Sequence, residues 1–178
     1  NADFIRAFDQ VPYVIKGYEN LPKNKKNIFI YNHLAAVESN QLANGHSFSI
    51  DSHFVSAKIL MSKYNDSGQR IVRASRKNEY WRSEYYSRLS NIVVHTTESD
   101  KLEETPSEKK RRKESFFVDA QEAFNENRPL AIAPEGTSET PDNVTNKSPG
   151  PFKPGAFLLA NKLNPRPMII PIALANFD

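Results

Sequence analysis

In His46-Ser47-Phe48-Ser49-Ile50-Asp51 a histidine precedes an aspartate by five positions. An imidazole takes up a proton near neutral pH, and a carboxylate on its second nitrogen fixes the tautomer and stabilises the resulting imidazolium. Such a pair suits a reaction in which a hydroxyl loses its proton while attacking a carbonyl. His33 stands at the same interval before Glu38, while His53 and His95 have no such context and read as structural. Downstream, Pro134-Glu135-Gly136-Thr137 follows the apolar run Leu130-Ala131-Ile132-Ala133. Glycine there permits a turn that other residues resist and a close approach by a bound molecule. The glutamate is suited to binding acceptor hydroxyls or orienting a base.

Strands alternating with helices must carry these residues. Residues 11–20 predict a short strand running into a turn at Leu21-Pro22, and Ile28–Tyr31 predicts a short buried strand. From Asp51 the spacing of Phe54, Val55, Ala57, Ile59 and Leu60 predicts a helix, with Ser49 or Asp51 near its N-cap. Strands are further expected at 71–74, 92–95, 130–133 and 168–174, and helices at 79–89, 109–125 and 155–162. In the helix 109–125, Phe116, Phe117, Ala120, Ala123 and Phe124 should face inward. Residues 96–108 and 138–151 are polar and read as loops. The alternation implies an α/β layered domain with a central, largely parallel sheet flanked by helices.

At 178 residues the chain fits one domain with a real core. It starts at Asn1 and stops soon after an apolar run, so it is expected to be a catalytic fragment of a longer protein, residues 1–178 forming a single domain. The absence of cysteine excludes a disulfide framework, a thiol nucleophile and thiolate metal sites. No apolar run reaches the ~18 residues of a membrane span. A net charge of +3 does not argue for nucleic acid. The charge is concentrated in Lys109-Lys110-Arg111-Arg112-Lys113, which reads as a solvated helix start or as a patch for anionic headgroups or carrier phosphates. No serine-hydrolase elbow, phosphate-binding loop, dinucleotide fingerprint or metal-binding helix occurs.

The two motifs, in this order, resemble the signatures of the glycerolipid acyltransferases: a His-x4-Asp pair and a Pro-Glu-Gly-Thr turn. Phe152-Lys153-Pro154-Gly155-Ala156 and Ile169-Ile170-Pro171-Ile172 are similar to two further motifs of that family, and the likeness spans roughly residues 14–175. It implies an acyltransferase-like domain that moves a fatty acyl group from acyl-CoA or acyl carrier protein to the hydroxyl of a glycerol phosphate or lysophospholipid. No cofactor is implied beyond the acyl thioester. The same likeness implies phospholipid biosynthesis at the cytoplasmic face of a membrane, by peripheral contact and without nucleic acid.

Two departures leave roles open. The family carries Asn-His directly after its buried strand, and Asn32-His33 holds that place here, with twelve residues between it and His46. The base is therefore either His46, in an intact motif that follows an insertion, or His33, paired with Asp51 across a motif that the insertion splits. The intact spacing favours His46. Ser138 stands where the family has an arginine, so an acceptor phosphate would fall to Arg73, Arg76 or Lys77, beside Glu135, Gly136 and Thr137. The alternative is a non-catalytic lipid- or carrier-binding module on the same fold.

Overall fold

A computed structural model describes residues 2–34, 43, 49–75, 79–95, 104–136 and 149–175. Five strands form one parallel sheet: β1 (Ile28–Tyr31), β2 (Gln69–Arg73), β3 (Ile92–Val94), β4 (Leu130–Ile132) and β5 (Ile169–Ile172), in the order β3-β2-β4-β1-β5. Register is set by Ile28, opposite Leu130 on one side and Ile169 on the other, and by Ile71 opposite Ile92. All four residues of β1 are buried. An unbroken apolar run is what a strand covered on both faces requires, because neither face of such a parallel sheet meets water.

The helices divide between the faces. Ile28, Ile30, Ile71, Ile92 and Leu130 meet α4 (Pro106–Asn125) and α5 (Gly155–Lys162) through Ala120, Ala123, Phe124, Ala156 and Leu159. Phe29, Tyr31 and Ala131 point the other way, toward Phe54, Val55, Ile59 and Leu60. Those four belong to α2, which opens as Ile50–Phe54, widens into a π-helical stretch over Val55–Met61 and closes as Ser62–Tyr64. The N-terminal α1 (Ala2–Phe8) lies on this side, with Phe8 edge-on to Phe54. α3 (Tyr80–Arg88) joins β2 to β3.

Two expectations need correction. Residues 11–20 hold no strand: Pro12 offers no backbone donor, Val11 and Val14 are exposed, and only a 3-10 turn forms over Tyr18–Asn20. The helix expected at 109 begins at Pro106, so 106–108 belong to it rather than to a loop. Thr105 and Glu108 form a reciprocal capping box, with proline in the first turn where its missing N–H costs nothing. Residues 96–103 and 138–148 lie outside the described residues.

Candidate active site

Parallel strands bring their C-terminal ends to one edge, and the loops leaving that edge hold the buried Asn32 and Glu135. β1 ends at Tyr31 and delivers Asn32 and His33. The Asn32 side chain makes a two-way bridge to the exit of β5, donating to the Leu174 carbonyl at 3.0 Å and accepting from its N–H at 2.7 Å. It fixes the backbone from which His33 projects.

His33 Nδ1 lies 2.6 Å from Asp51 Oδ2, although the two are 18 positions apart. The same carboxylate accepts the Leu34 N–H at 2.9 Å and, on its other oxygen, the Ser52 N–H at 2.5 Å. Asp51 is 2% exposed and the His33 side chain 17%. Burial by itself would raise the Asp51 carboxyl, but the His33 charge and hydrogen bond and the two backbone N–H groups hold it below its ordinary value. For His33, burial acts downward, yet the charge and hydrogen bond of Asp51, with Glu135 behind them, leave the imidazole above its ordinary value. Each partner thus favours the charged form of the other. Such a pair can take up a proton and support the protonated state.

Glu135 is buried at 2% exposure, unlike the exposed turn residue its position suggests. One oxygen accepts the backbone N–H of His33 at 2.6 Å and the other that of Gly150 at 2.7 Å. Its carboxylate therefore joins the end of β4 to the end of β1 and to the segment before α5. Gly136 adopts φ +79°, a left-handed value that favours glycine, and the Lys153 side chain crosses it so closely that an added Cβ would sit 3.1 Å from Nζ. The turn and the Phe-Lys-x-Gly-Ala stretch are thus one piece of surface, closed by the Lys153 N–H on the Pro134 carbonyl at 2.9 Å.

The other expected residues fare differently. Arg73 makes a double hydrogen bond to Glu79, 2.8 Å at each oxygen, with Arg82 also 3.4 Å from that carboxylate. A phosphate there would compete with Glu79. His46, Glu38, Arg76, Lys77, Thr137 and Ser138 lie outside the described residues. His53 is buried between the Phe4 ring and the Tyr85 hydroxyl. Burial, and then the Arg112 charge, hold His95 below its ordinary value. Sequence reasoning did not single out Arg70, Ser52 or Gly150. Gly150 gave no signal, and Arg70 lay just before the strand expected at 71–74, where nothing marked it as buried.

Among the described residues no cluster of His, Asp or Glu is arranged to hold a metal, and no helix is long and apolar enough to cross a membrane. What the geometry can do is remove a proton from a group presented at the strand ends. Compared with known proteins, residues 13–175 match the model of a family described as Acyltransferase. No curated protein and no solved structure matches.

Proposed function

The chain belongs to the acyltransferase family and is an acyltransferase; from that premise we propose that it moves a fatty acyl group from acyl-CoA or acyl carrier protein to the hydroxyl of a glycerol phosphate or lysophospholipid, in phospholipid biosynthesis. The observation that carries the reading is the 2.6 Å contact between His33 Nδ1 and Asp51 at the ends of the strands. It favours His33 over His46 as the base.

With Asp51 on Nδ1, the acceptor's proton goes to Nε2 as its oxygen attacks the thioester carbonyl. The new C–O bond forms, the tetrahedral adduct collapses, the C–S bond breaks, and the proton on His33 passes to the departing thiolate. No enzyme nucleophile is required, so donor and acceptor meet in one ternary complex. Glu135 acts on the base through the His33 backbone, and Gly136 with Thr137 shapes the acceptor's side of the turn. Arg76 and Lys77, with Arg73 held on Glu79, meet the acceptor phosphate.

Lys109, Lys110, Arg111 and Lys113 are exposed on α4, whereas Arg112 is held on Glu104 by two hydrogen bonds of 2.7 Å. The exposed charges suit peripheral contact with an anionic membrane on its cytoplasmic side, at ~1 kcal/mol per charge near the surface. Changing them to glutamine should weaken binding to anionic vesicles and leave turnover of soluble substrates in place.

The reading is tested by following free thiol and ester product from labelled acyl-CoA and acyl carrier protein against glycerol phosphate and lysophospholipid acceptors. One thiol released per ester formed, and only with acceptor present, is the expected result. No acceptor-dependent release from either donor would overturn it.

A further inference from the structure

In a His-x4-Asp motif the short link between the two residues sets their geometry. Here 18 positions separate His33 from Asp51, so something else must hold Asp51 in place. Asp51 is the second residue of α2, and the start of that helix is gripped from below.

The residue responsible lies on β2. Arg70 is 7% exposed, and burying a guanidinium is costly unless its donors are used. Its partners in the described structure are hydroxyls. Nη1 donates to Ser52 Oγ at 2.9 Å, and the guanidinium charge also acts on the Tyr85 hydroxyl of α3. Ser52 Oγ in turn donates to the Ser49 carbonyl at 2.9 Å. The Tyr85 hydroxyl meets His53 Nε2, and His53 Nδ1 contacts the same Ser49 carbonyl at 2.7 Å. A carbonyl only accepts, so Nδ1 carries the proton and a neutral Nε2 accepts from Tyr85. The Ser52 and Tyr85 hydroxyls and the His53 Nδ1–H then each have an acceptor.

We propose that Arg70 is a positioning residue for Asp51: its guanidinium holds Ser52 by a hydrogen bond and sets its charge against the Tyr85 hydroxyl that meets His53, and both arms converge on the Ser49 carbonyl where α2 begins. Ser52 belongs to both systems, since its N–H holds the Asp51 carboxylate and its side chain takes one arm. The Phe4 ring, 4.4 Å from the His53 ring, closes the network from α1. Asp51 is thereby placed from β2, α3 and α1. The inference rests on the His33–Asp51 reading.

Arg70→Lys keeps the charge but replaces a planar fork with a point donor that cannot serve both arms. The protein should fold, with kcat lower by about tenfold to a hundredfold and KM for the thioester little changed, as expected when a catalytic group is slightly misplaced. Among the described residues, Asp51 on α2, Glu135 after β4, Arg82 on α3 and Tyr31 on β1 face His33. Only the Asp51 contribution should weaken, so the His33 imidazole, followed by NMR, should titrate at lower pH than in the wild type. The acidic limb of the kcat profile should move with it. Tyr85→Phe cuts one arm and should shift both readouts the same way by less; it carries the test if Arg70→Lys does not fold. A wild-type His33 titration and wild-type kcat in the folded variants, with only the melting temperature lowered, would overturn the proposal. Full activity in His33→Ala would instead end the reading of His33 as base, whatever the Arg70 variant shows.

Discussion

On the face of the sheet covered by α4 and α5, Ile28, Ile30, Ile71, Leu130, Phe124 and Leu159 fill space chiefly with hydrocarbon. On the face covered by α2, Phe29, Leu60 and Val55 do the same, but Asp51, Ser52, His53 and Arg70 are buried beside them. The first face is specified by volume. Packing tolerates exchange of one apolar residue for another of similar size, because dispersion and burial have little direction. The second is specified by direction as well. Each polar group there needs a partner at a set angle, and a buried carboxylate or guanidinium left without one is costly. A substitution on the first face should therefore reach function only through stability, while one near the start of α2 should reach function directly.

The largest expected effect lies on the polar face. Asp51→Asn keeps the shape but presents an amide to His33 and can no longer support the imidazolium, so turnover should fall by about 10⁴ while the fold persists. Circular dichroism and thiol release measured on one preparation check this; activity near wild type would remove Asp51 from the mechanism. On the apolar face, Phe124→Ala should cost about 3–5 kcal/mol of stability, measured by denaturant unfolding. Its kcat per folded molecule should stay at the wild-type value. A specific loss of kcat in that variant would break the comparison between the faces.

The two faces were also unequally legible in the sequence. Ile28–Tyr31 and Gly155–Lys162 were readable with their bounds, because runs and periodicities of apolar residues report burial directly. The start of α4 was less legible although Thr105-Pro106-Ser107-Glu108 carries the capping signal, because its Thr, Pro, Ser and Glu are equally the composition of a polar loop. At the site, residue types were legible and partners were not. Asp51 and Glu135 stood out, but spacing favours His46, whereas the fold brings His33 onto Asp51 from 18 positions away. Glu135 looked like an exposed turn residue because its two partners are backbone N–H groups, which leave no trace in a sequence. A contact that depends on where two strands end cannot be read from one strand.

Glu135→Gln sharpens the comparison at smaller scale. One of its two acceptor oxygens becomes an NH₂ group, which faces the N–H of either His33 or Gly150. Leaving that buried pair unmade should cost about 1–3 kcal/mol of stability. Because the carboxylate anchors the backbone of His33, the proposed base, kcat should also fall, by about tenfold, a loss that steady-state assay of the folded variant would detect. Stability lost with kcat intact would place Glu135 with the apolar face as a purely structural residue.

The smallest expected effect is a pH dependence. His33 holds its proton more tightly folded than unfolded, so its contribution to stability is fully present below its ordinary value of 6.5 and is lost as pH rises through its higher folded value. Asp51 has the opposite sign: its contribution is present above 3.8 and is lost as pH falls through its lower folded value. Unfolding midpoints should accordingly decline from pH 6 to pH 8 in the wild type, and decline less in His33→Gln. Identical slopes in the two proteins would mean that the charged pair contributes nothing to the fold.

The account turns on which histidine faces Asp51 during catalysis, and the direct measurement is acyl transfer by His33→Ala and His46→Ala side by side, at equal folded concentration. The geometry predicts that His33→Ala loses at least ~100-fold in kcat, the low end for a general base, while His46→Ala stays within a few-fold of wild type. An inactive His46→Ala beside an active His33→Ala would contradict it.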